Sequence, residues 1–83
     1  MGLSVKLYSL STCGHCKAVK HLLDELGIQY EYTDVDLLET EDRASAVAEV
    51  KRINPRSSFP TLIIGDRVVV GNREQEIREA LGL

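Results

Sequence analysis

The chain has 83 residues, of which 43% are hydrophobic and 28% are charged, and its formal net charge is -3 at pH 7. A chain of this length predicts one small domain, residues 1–83, which buries about 60 to 65% of the surface of its unfolded state. The 10 Lys and Arg residues are outnumbered by 13 Asp and Glu residues. Because binding to phosphate backbones requires a basic face, we expect no nucleic-acid partner.

The sequence predicts neither a membrane span nor a secretory signal. The longest apolar runs, residues 61–64 and 68–70, are far shorter than the roughly 18 residues that a membrane-spanning helix needs. The first six residues lack a charged region followed by an apolar one, so we expect a cytoplasmic protein without membrane association. Cys13 and Cys16 are the two cysteines, whereas secreted disulfide scaffolds of this size carry several pairs.

The first half of the chain predicts a strand, a helix and a second strand. Residues 5–8 form a short β-prone run, which a Ser-Leu-Ser-Thr loop follows. In residues 16–26 the apolar side chains recur at helical spacing, and Gly27 stands where a left-handed residue ends many helices. Residues 29–36 alternate between polar and apolar side chains and predict a strand with one wetter face.

A second helix is predicted over residues 41–53, with Thr40 as its N-cap. Its first turn is acidic and its last turn is basic, as the helix dipole favours, and Asn54-Pro55 ends it. Five carboxylates lie between residues 34 and 42, without the glycine and the ligand spacing of a calcium loop. We interpret these acidic residues, from Asp34 to Asp42, as solvated surface and the start of the helix.

The last part of the chain predicts a β-hairpin and a third helix. Residues 61–64 and 67–70 are strands joined by Gly65-Asp66, a two-residue loop that suits a type II′ turn. Asn72, followed by Gln75, suits the capping box of a final helix. The element order βαβαββα predicts an α/β fold, with a four-stranded mixed sheet flanked by helices.

The two cysteines lie where the first loop becomes the first helix. Free amide groups and the helix dipole at this position favour the thiolate of Cys13 over its thiol. Cys16 lies one turn further along, close enough to form a disulfide with Cys13. This arrangement predicts that Cys13 is the nucleophile, which attacks a substrate disulfide, and that Cys16 resolves the mixed disulfide.

Three other interpretations of the cysteine pair carry less weight. A structural disulfide closing so small a ring contributes roughly 2 kcal/mol at most. A zinc site lacks ligands, because there is no second cysteine pair and His21 points away from Cys16 on the helix. Inert cysteines are usually surrounded by apolar residues, whereas this pair encloses Gly14 and His15.

Taken together, these residues resemble the glutaredoxin family. The resemblance is carried by the first strand, by Thr12-Cys13-Gly14-His15-Cys16, by Phe59-Pro60 and by Gly71, and it extends over nearly the whole chain. It implies a thioredoxin-like fold in which the bond before Pro60 is cis and Pro60 packs opposite the two thiols. It also implies that the backbone of Phe59 pairs with a substrate peptide or with glutathione.

Several positions depart from the family pattern. Many glutaredoxins have Pro-Tyr between the cysteines and a lysine three positions before the first one, where this chain has Gly14-His15 and Leu10. The Gly-Gly and acidic residues that follow the last strand in the family appear here as Gly71-Asn72-Arg73-Glu74. The resemblance implies that Arg56 is a candidate for a contact with glutathione. It also implies that the substrate is bound by Thr12, Phe59, Pro60, Gly71, Asn72 and Arg73.

His15 completes the predicted catalytic residues with Cys13 and Cys16. As an imidazolium beside Cys13 it would stabilise the thiolate, and hence the reduced form, which makes the pair more oxidising. The Gly-His dipeptide is similar to that of protein disulfide isomerase, whose potential is about -180 mV, against about -270 mV for thioredoxin. The alternative is an exposed histidine without influence on the thiols.

The pair and the resemblance together predict a thiol-disulfide oxidoreductase that reduces protein disulfides or glutathione mixed disulfides. We expect a monomer with no bound cofactor or metal, and either glutathione, as a co-substrate, or thioredoxin reductase as the electron source. The absence of a lysine at Leu10 favours the reductase. The alternative is a binding module that holds an iron-sulfur cluster between two chains, together with glutathione.

Overall fold

The computed structural model describes residues 3–83, so Met1 and Gly2, at the start of the amino-terminal stretch considered above, lie outside the described residues. The elements are β1 (Val5–Ser9), α1 (Gly14–Glu25), β2 (Glu31–Asp34), α2 (Thr40–Ile53), β3 (Thr61–Ile64), β4 (Arg67–Val70) and α3 (Glu74–Ala80). A short 3-10 turn, Val35–Leu37, connects β2 to α2. Within residues 3–83, no helix is both long and apolar enough to cross a membrane.

The four strands form one mixed sheet in the order β2-β1-β3-β4. β1 pairs in parallel with β2 and antiparallel with β3, and β3 pairs antiparallel with β4. Gly65 has the positive φ of 61° that the first position of the predicted hairpin loop requires. The predicted fold class, a thioredoxin-like α/β fold with a four-stranded mixed sheet, is confirmed.

Apolar residues pack against both faces of the sheet. One cluster joins β1 and β3 to α1 and α3, with Leu7, Leu23, Leu62 and Ile77 fully or almost fully buried. A smaller cluster on the other face contains Tyr8, Val35 and Val50, with Leu10 and Phe59 packed against it. Both clusters lie against β1, so the carboxyl end of this strand, where the cysteine loop begins, is held from both sides.

α1 begins and ends with specific backbone hydrogen bonds. Cys13 is its N-cap, so the helix starts two residues before the predicted start at Cys16. At the other end, Gly27 adopts a φ of 69°, and its N–H donates to the carbonyl of Asp24 while Ile28 donates to that of Leu23. These two bonds form a Schellman motif, as the position of Gly27 predicted.

Both predicted helix caps, Thr40 and Asn72, are wrong by one residue. Arg43 N–H donates to the carbonyl of Glu39, so α2 begins one residue earlier than predicted and Thr40 is its first helical residue. Ile77 N–H donates to the carbonyl of Arg73, which makes Arg73, and not Asn72, the N-cap of α3. Neither N-cap residue makes a side-chain capping bond, so sequence preferences for capping side chains did not locate these starts.

The second strand is shorter than predicted. β2 ends at Asp34, whereas the alternating pattern extended to residue 36. Val35 is out of step with that alternation because it enters the 3-10 turn and buries its side chain against Val50 and Tyr8. Burial of one valine on the α2 face therefore overrides the local strand pattern.

Candidate active site

The cysteine loop places the Cys13 sulfur at the start of α1. The loop closes through a hydrogen bond of 3.1 Å from Cys13 N–H to the carbonyl of Leu10. Cys16 N–H then donates to Cys13 Sγ across 3.2 Å. The sulfur, which is partly exposed, thus accepts a bond from one of the free amide groups of the first turn. The bond fixes the position of the sulfur at the start of the helix, as the sequence predicted.

The two thiols lie in different environments. Cys16 is completely buried, while Cys13 is partly exposed. Burial, first, and then the hydrogen bond with Cys13 raise the pKa of Cys16 to about 12. The Leu10 backbone amide and the charge of Lys20 act in the opposite direction on this pKa. Cys16 is therefore a protonated thiol at neutral pH, while Cys13 is the accessible sulfur.

Asp36 holds the loop that precedes Cys13. Its carboxylate accepts hydrogen bonds from Ser11 N–H, at 2.8 Å, and from Ser11 Oγ, at 2.5 Å. The side-chain and backbone bonds of Ser11 lower the pKa of Asp36. Arg43, on α2, donates to the carbonyls of Asp36 and Leu38 and so anchors the Asp36 turn in its place.

A second group of polar side chains lies at the end of β1. Ser9, which is completely buried, donates from Oγ to the carboxylate of Asp34, its partner in the parallel register. Lys20 Nζ lies 2.9 Å from Asp34 Oδ1 and 4.3 Å from the centroid of the Tyr32 ring. The hydrogen bond from Ser9, first, and then Lys20 lower the pKa of Asp34. The interpretation of Asp34 as solvated surface is wrong, because its side chain is only 16% exposed.

The loop before β3 is built around Asn54 and a cis bond. The peptide bond between Phe59 and Pro60 is cis, as the resemblance implied. The Asn54 side chain is 3% exposed, and its amide donates to the Ser58 carbonyl and Oγ and to Thr61 Oγ1. Thr61 Oγ1 in turn donates to the Ser58 carbonyl across 2.7 Å. In the sequence Asn54 is recognisable only as a helix end, because a buried role for its amide has no local signature.

Pro60 connects this loop to the segment after β4. Gly71 N–H donates to the Pro60 carbonyl across 2.9 Å, and Gly71 has a φ of 88°, which favours glycine. His15 lines a cavity of about 430 Å³ together with Val70, Gly71, Asn72 and Arg73. The structure therefore brings His15 together with Gly71, Asn72 and Arg73, and Gly71 with Pro60.

A second cavity, of about 570 Å³, adjoins the first and shares Val70 and Arg73 with it. Arg56 lines this second cavity, beside Val68. Arg73 is oriented by a bond of 3.2 Å from its Nε to the Val70 carbonyl. Both volumes fall in the range of small-molecule sites, roughly 300 to 1,000 Å³. Two arginines therefore border a cavity system that begins next to the cysteine pair.

The remaining predicted site residues lie beside this system. Thr12 is exposed in the turn before Cys13 and does not line the cavity that contains His15. Phe59 is partly buried and packs, with Leu10, against the smaller apolar cluster. Leu10 thus covers apolar surface at the position where many glutaredoxins carry a lysine.

Comparison with known proteins agrees with this architecture. The glutaredoxin family model matches residues 5–69. Methanoredoxin from Methanosarcina acetivorans is 48% identical in sequence, and its crystal structure matches this one with a TM-score of 0.93. The match covers 96% of this chain and 85% of that chain. The glutaredoxin from Methanosarcina mazei Go1 is 47% identical, with a TM-score of 0.91, over 100% of this chain and 84% of that chain.

A curated relative contains the same region within a longer protein. Glutathione S-transferase Z2 from Arabidopsis thaliana is 39% identical over 67 residues, which cover 78% of this chain. The match spans only 28% of the length of that relative. The family match, in contrast, covers most of this chain and includes both cysteines and the cis proline. The chain belongs to the glutaredoxin family and has a thioredoxin-like fold.

Proposed function

We propose that this protein reduces disulfides of proteins and mixed disulfides of glutathione, with Cys13 as the nucleophile and Cys16 as the resolving thiol. The observation that carries the proposal is the asymmetry of the pair. Cys13 Sγ is accessible and accepts a hydrogen bond from Cys16 N–H at 3.2 Å. Cys16 is buried, and burial raises its pKa to about 12. One sulfur is therefore suited to meet the substrate and the other to react second.

The cycle follows from thiol-disulfide exchange. The Cys13 thiolate attacks one sulfur of the substrate disulfide, a mixed disulfide forms, and the other substrate sulfur leaves as a thiolate. Cys16 then loses its proton and attacks Cys13 Sγ, which releases the second substrate thiolate. The cysteine pair ends oxidised by two electrons and the substrate ends reduced by two. Glutathione or thioredoxin reductase returns the electrons to the pair.

The substrate groove we propose lies between His15 and the segment from Gly71 to Arg73. The cavity of about 430 Å³ between them is large enough for part of a peptide or for glutathione. Arg56 and Arg73 offer cations for the carboxylates of glutathione. The family resemblance implies that the Phe59 backbone pairs with a peptide. Leu10 offers no charge, so we expect weaker glutathione binding than in members with a lysine there.

The test is NADPH consumption with a disulfide substrate, in one arm with glutathione and glutathione reductase and in the other with thioredoxin reductase. Turnover in either arm supports the proposal and identifies the electron source. Cys13→Ser should abolish turnover in both arms. Cys16→Ser should retain only the reduction of glutathione mixed disulfides, because that reaction needs a single protein thiol. Normal turnover of Cys13→Ser, or silence of the wild-type protein in both arms, would refute the proposal.

A further inference from the structure

The resolving step requires a charged sulfur in a place that disfavours charge. Cys16 is fully buried, and burial raises its pKa to about 12. The thiolate, and not the thiol, attacks a disulfide. A group that stabilises the thiolate of Cys16 therefore controls how quickly the mixed disulfide on Cys13 is released.

Lys20 is placed to be that group. It lies one helical turn after Cys16 on α1, so the two side chains share a face of the helix. Its ammonium is fixed by two partners on β2: Asp34 Oδ1 at 2.9 Å and the ring of Tyr32, with 4.3 Å between Nζ and the ring centroid. The Lys20 side chain is 21% exposed, so it does not extend freely into solvent as surface lysines do.

The partners of Lys20 hold its ammonium in place. The hydrogen bond from Ser9 and the contact with Lys20 lower the pKa of Asp34, so the carboxylate stays ionised at neutral pH. Ser9 is buried at the end of β1, and the backbone amide of the next residue, Leu10, lowers the pKa of Cys16. The polar group formed by Ser9, Asp34 and Lys20 and the Cys16 thiol therefore lie at the same end of this strand.

We infer that Lys20 is a positioning residue for the resolving step, in which its fixed ammonium stabilises the thiolate of Cys16. This inference rests on the proposed function. In the step, Cys16 gives its proton to solvent and its Sγ forms a bond to Cys13 Sγ. The bond from Cys13 Sγ to the substrate sulfur breaks, and the substrate leaves with the electron pair and takes up a proton. Asp34, on β2, opposes the effect of Lys20 in part, while Ser9, at the end of β1, is uncharged and the amide of Leu10, just after β1, acts in the same direction as Lys20.

The two steps can be timed separately with the symmetrical disulfide of thionitrobenzoate, whose thiolate is yellow. Rapid mixing with reduced protein releases one thiolate when Cys13 attacks and a second when Cys16 resolves. Lys20→Met should leave the first phase unchanged. A nearby opposite charge usually changes an ionisation equilibrium by about tenfold or more, and Asp34 offsets part of that effect here. We therefore expect Lys20→Met to lower the fraction of Cys16 present as thiolate about tenfold. The more basic sulfur is about threefold more nucleophilic, which offsets part of this loss. The second phase should slow by about threefold at pH 7, and a given rate should be reached only at a higher pH than in the wild-type protein.

Three variants serve as controls. Lys20→Arg keeps the charge and should restore most of the second phase. Lys51→Met removes an exposed lysine from α2 and should change neither phase. The double variant Lys20→Met/Asp34→Asn removes both charges, folds without an unpaired carboxylate, and should still resolve more slowly than the wild-type protein.

Several results would overturn the inference. An unchanged second phase in Lys20→Met, or an equal slowing of both phases, would show that Lys20 does not act on Cys16. Recovery of the wild-type rate in the double variant would show that the Asp34 carboxylate, left without its partner in Lys20→Met, caused the slowing, and not the loss of the Lys20 charge itself. A missing first phase in the wild-type protein would refute the proposed function itself, and with it this inference.

Discussion

Replacing Asn54 tests whether one buried amide holds the loop that carries Pro60. The amide donates to the Ser58 carbonyl at 3.2 Å, to Ser58 Oγ at 3.2 Å and to Thr61 Oγ1 at 3.0 Å. The Asn54 Oδ1 accepts a bond of 3.2 Å from Arg56 N–H. The two amide hydrogens and the oxygen amount to three hydrogen bonds at most, each contributing about 1 kcal/mol net. We therefore expect Asn54→Ala to lower the free energy of unfolding by about 2 to 3 kcal/mol.

This loss can be measured by urea unfolding, followed by circular dichroism. For a domain of this size it corresponds to a decrease in Tm of roughly 10 to 20 °C. Ser58→Ala is the matched control, because it removes one acceptor and leaves the Ser58 carbonyl and Thr61 Oγ1 as partners of the amide. It should cost less than about 1 kcal/mol. If Asn54→Ala cost no more than Ser58→Ala, the reasoning that assigns the loop to this network would be wrong.

Three further predictions concern the core and the acidic residues. Leu23 is fully buried between α1 and the sheet, so Leu23→Ala should cost about 2 to 5 kcal/mol, measured by the urea midpoint; a smaller loss would mean that the cavity collapses. The pKa of Asp34 is lowered in the fold, so its contribution to stability is present above the unfolded pKa and is lost as the pH falls through the folded pKa. In Asp34→Asn the free energy of unfolding should therefore fall less steeply as the pH is lowered. A fall as steep as that of the wild-type protein would contradict this. Asp36→Asn weakens the bonds to Ser11, so the first, Cys13-dependent phase of thionitrobenzoate release should slow more than the second; slowing of the second phase alone would contradict this role.

Local patterns predicted the parts of the fold whose causes lie within a few residues. The apolar spacing from Val19 to Leu26 and the glycine at position 27 predicted α1 and its end, because helix periodicity and left-handed capping act over neighbouring turns. Gly65-Asp66 predicted the hairpin for the same reason. The placement of Cys13 at the helix start also followed from the chain, and this position accounts for the hydrogen bond to its sulfur.

Local sequence patterns were sufficient to predict the element order, the hairpin and the position of the cysteine pair, whereas the roles of the polar residues around that pair depend on the folded chain. Asp34 and Asp36 resemble surface acids in the chain, yet their serine partners, Ser9 and Ser11, are each 25 positions away. The parallel pairing of β1 with β2 brings these residues together. A periodicity or a cap is set by interactions between near neighbours, but a hydrogen bond across a parallel strand pair depends on the crossover and register of the whole sheet. For this reason only the folded chain distinguishes an acid that holds the active-site loop from one that is simply solvated.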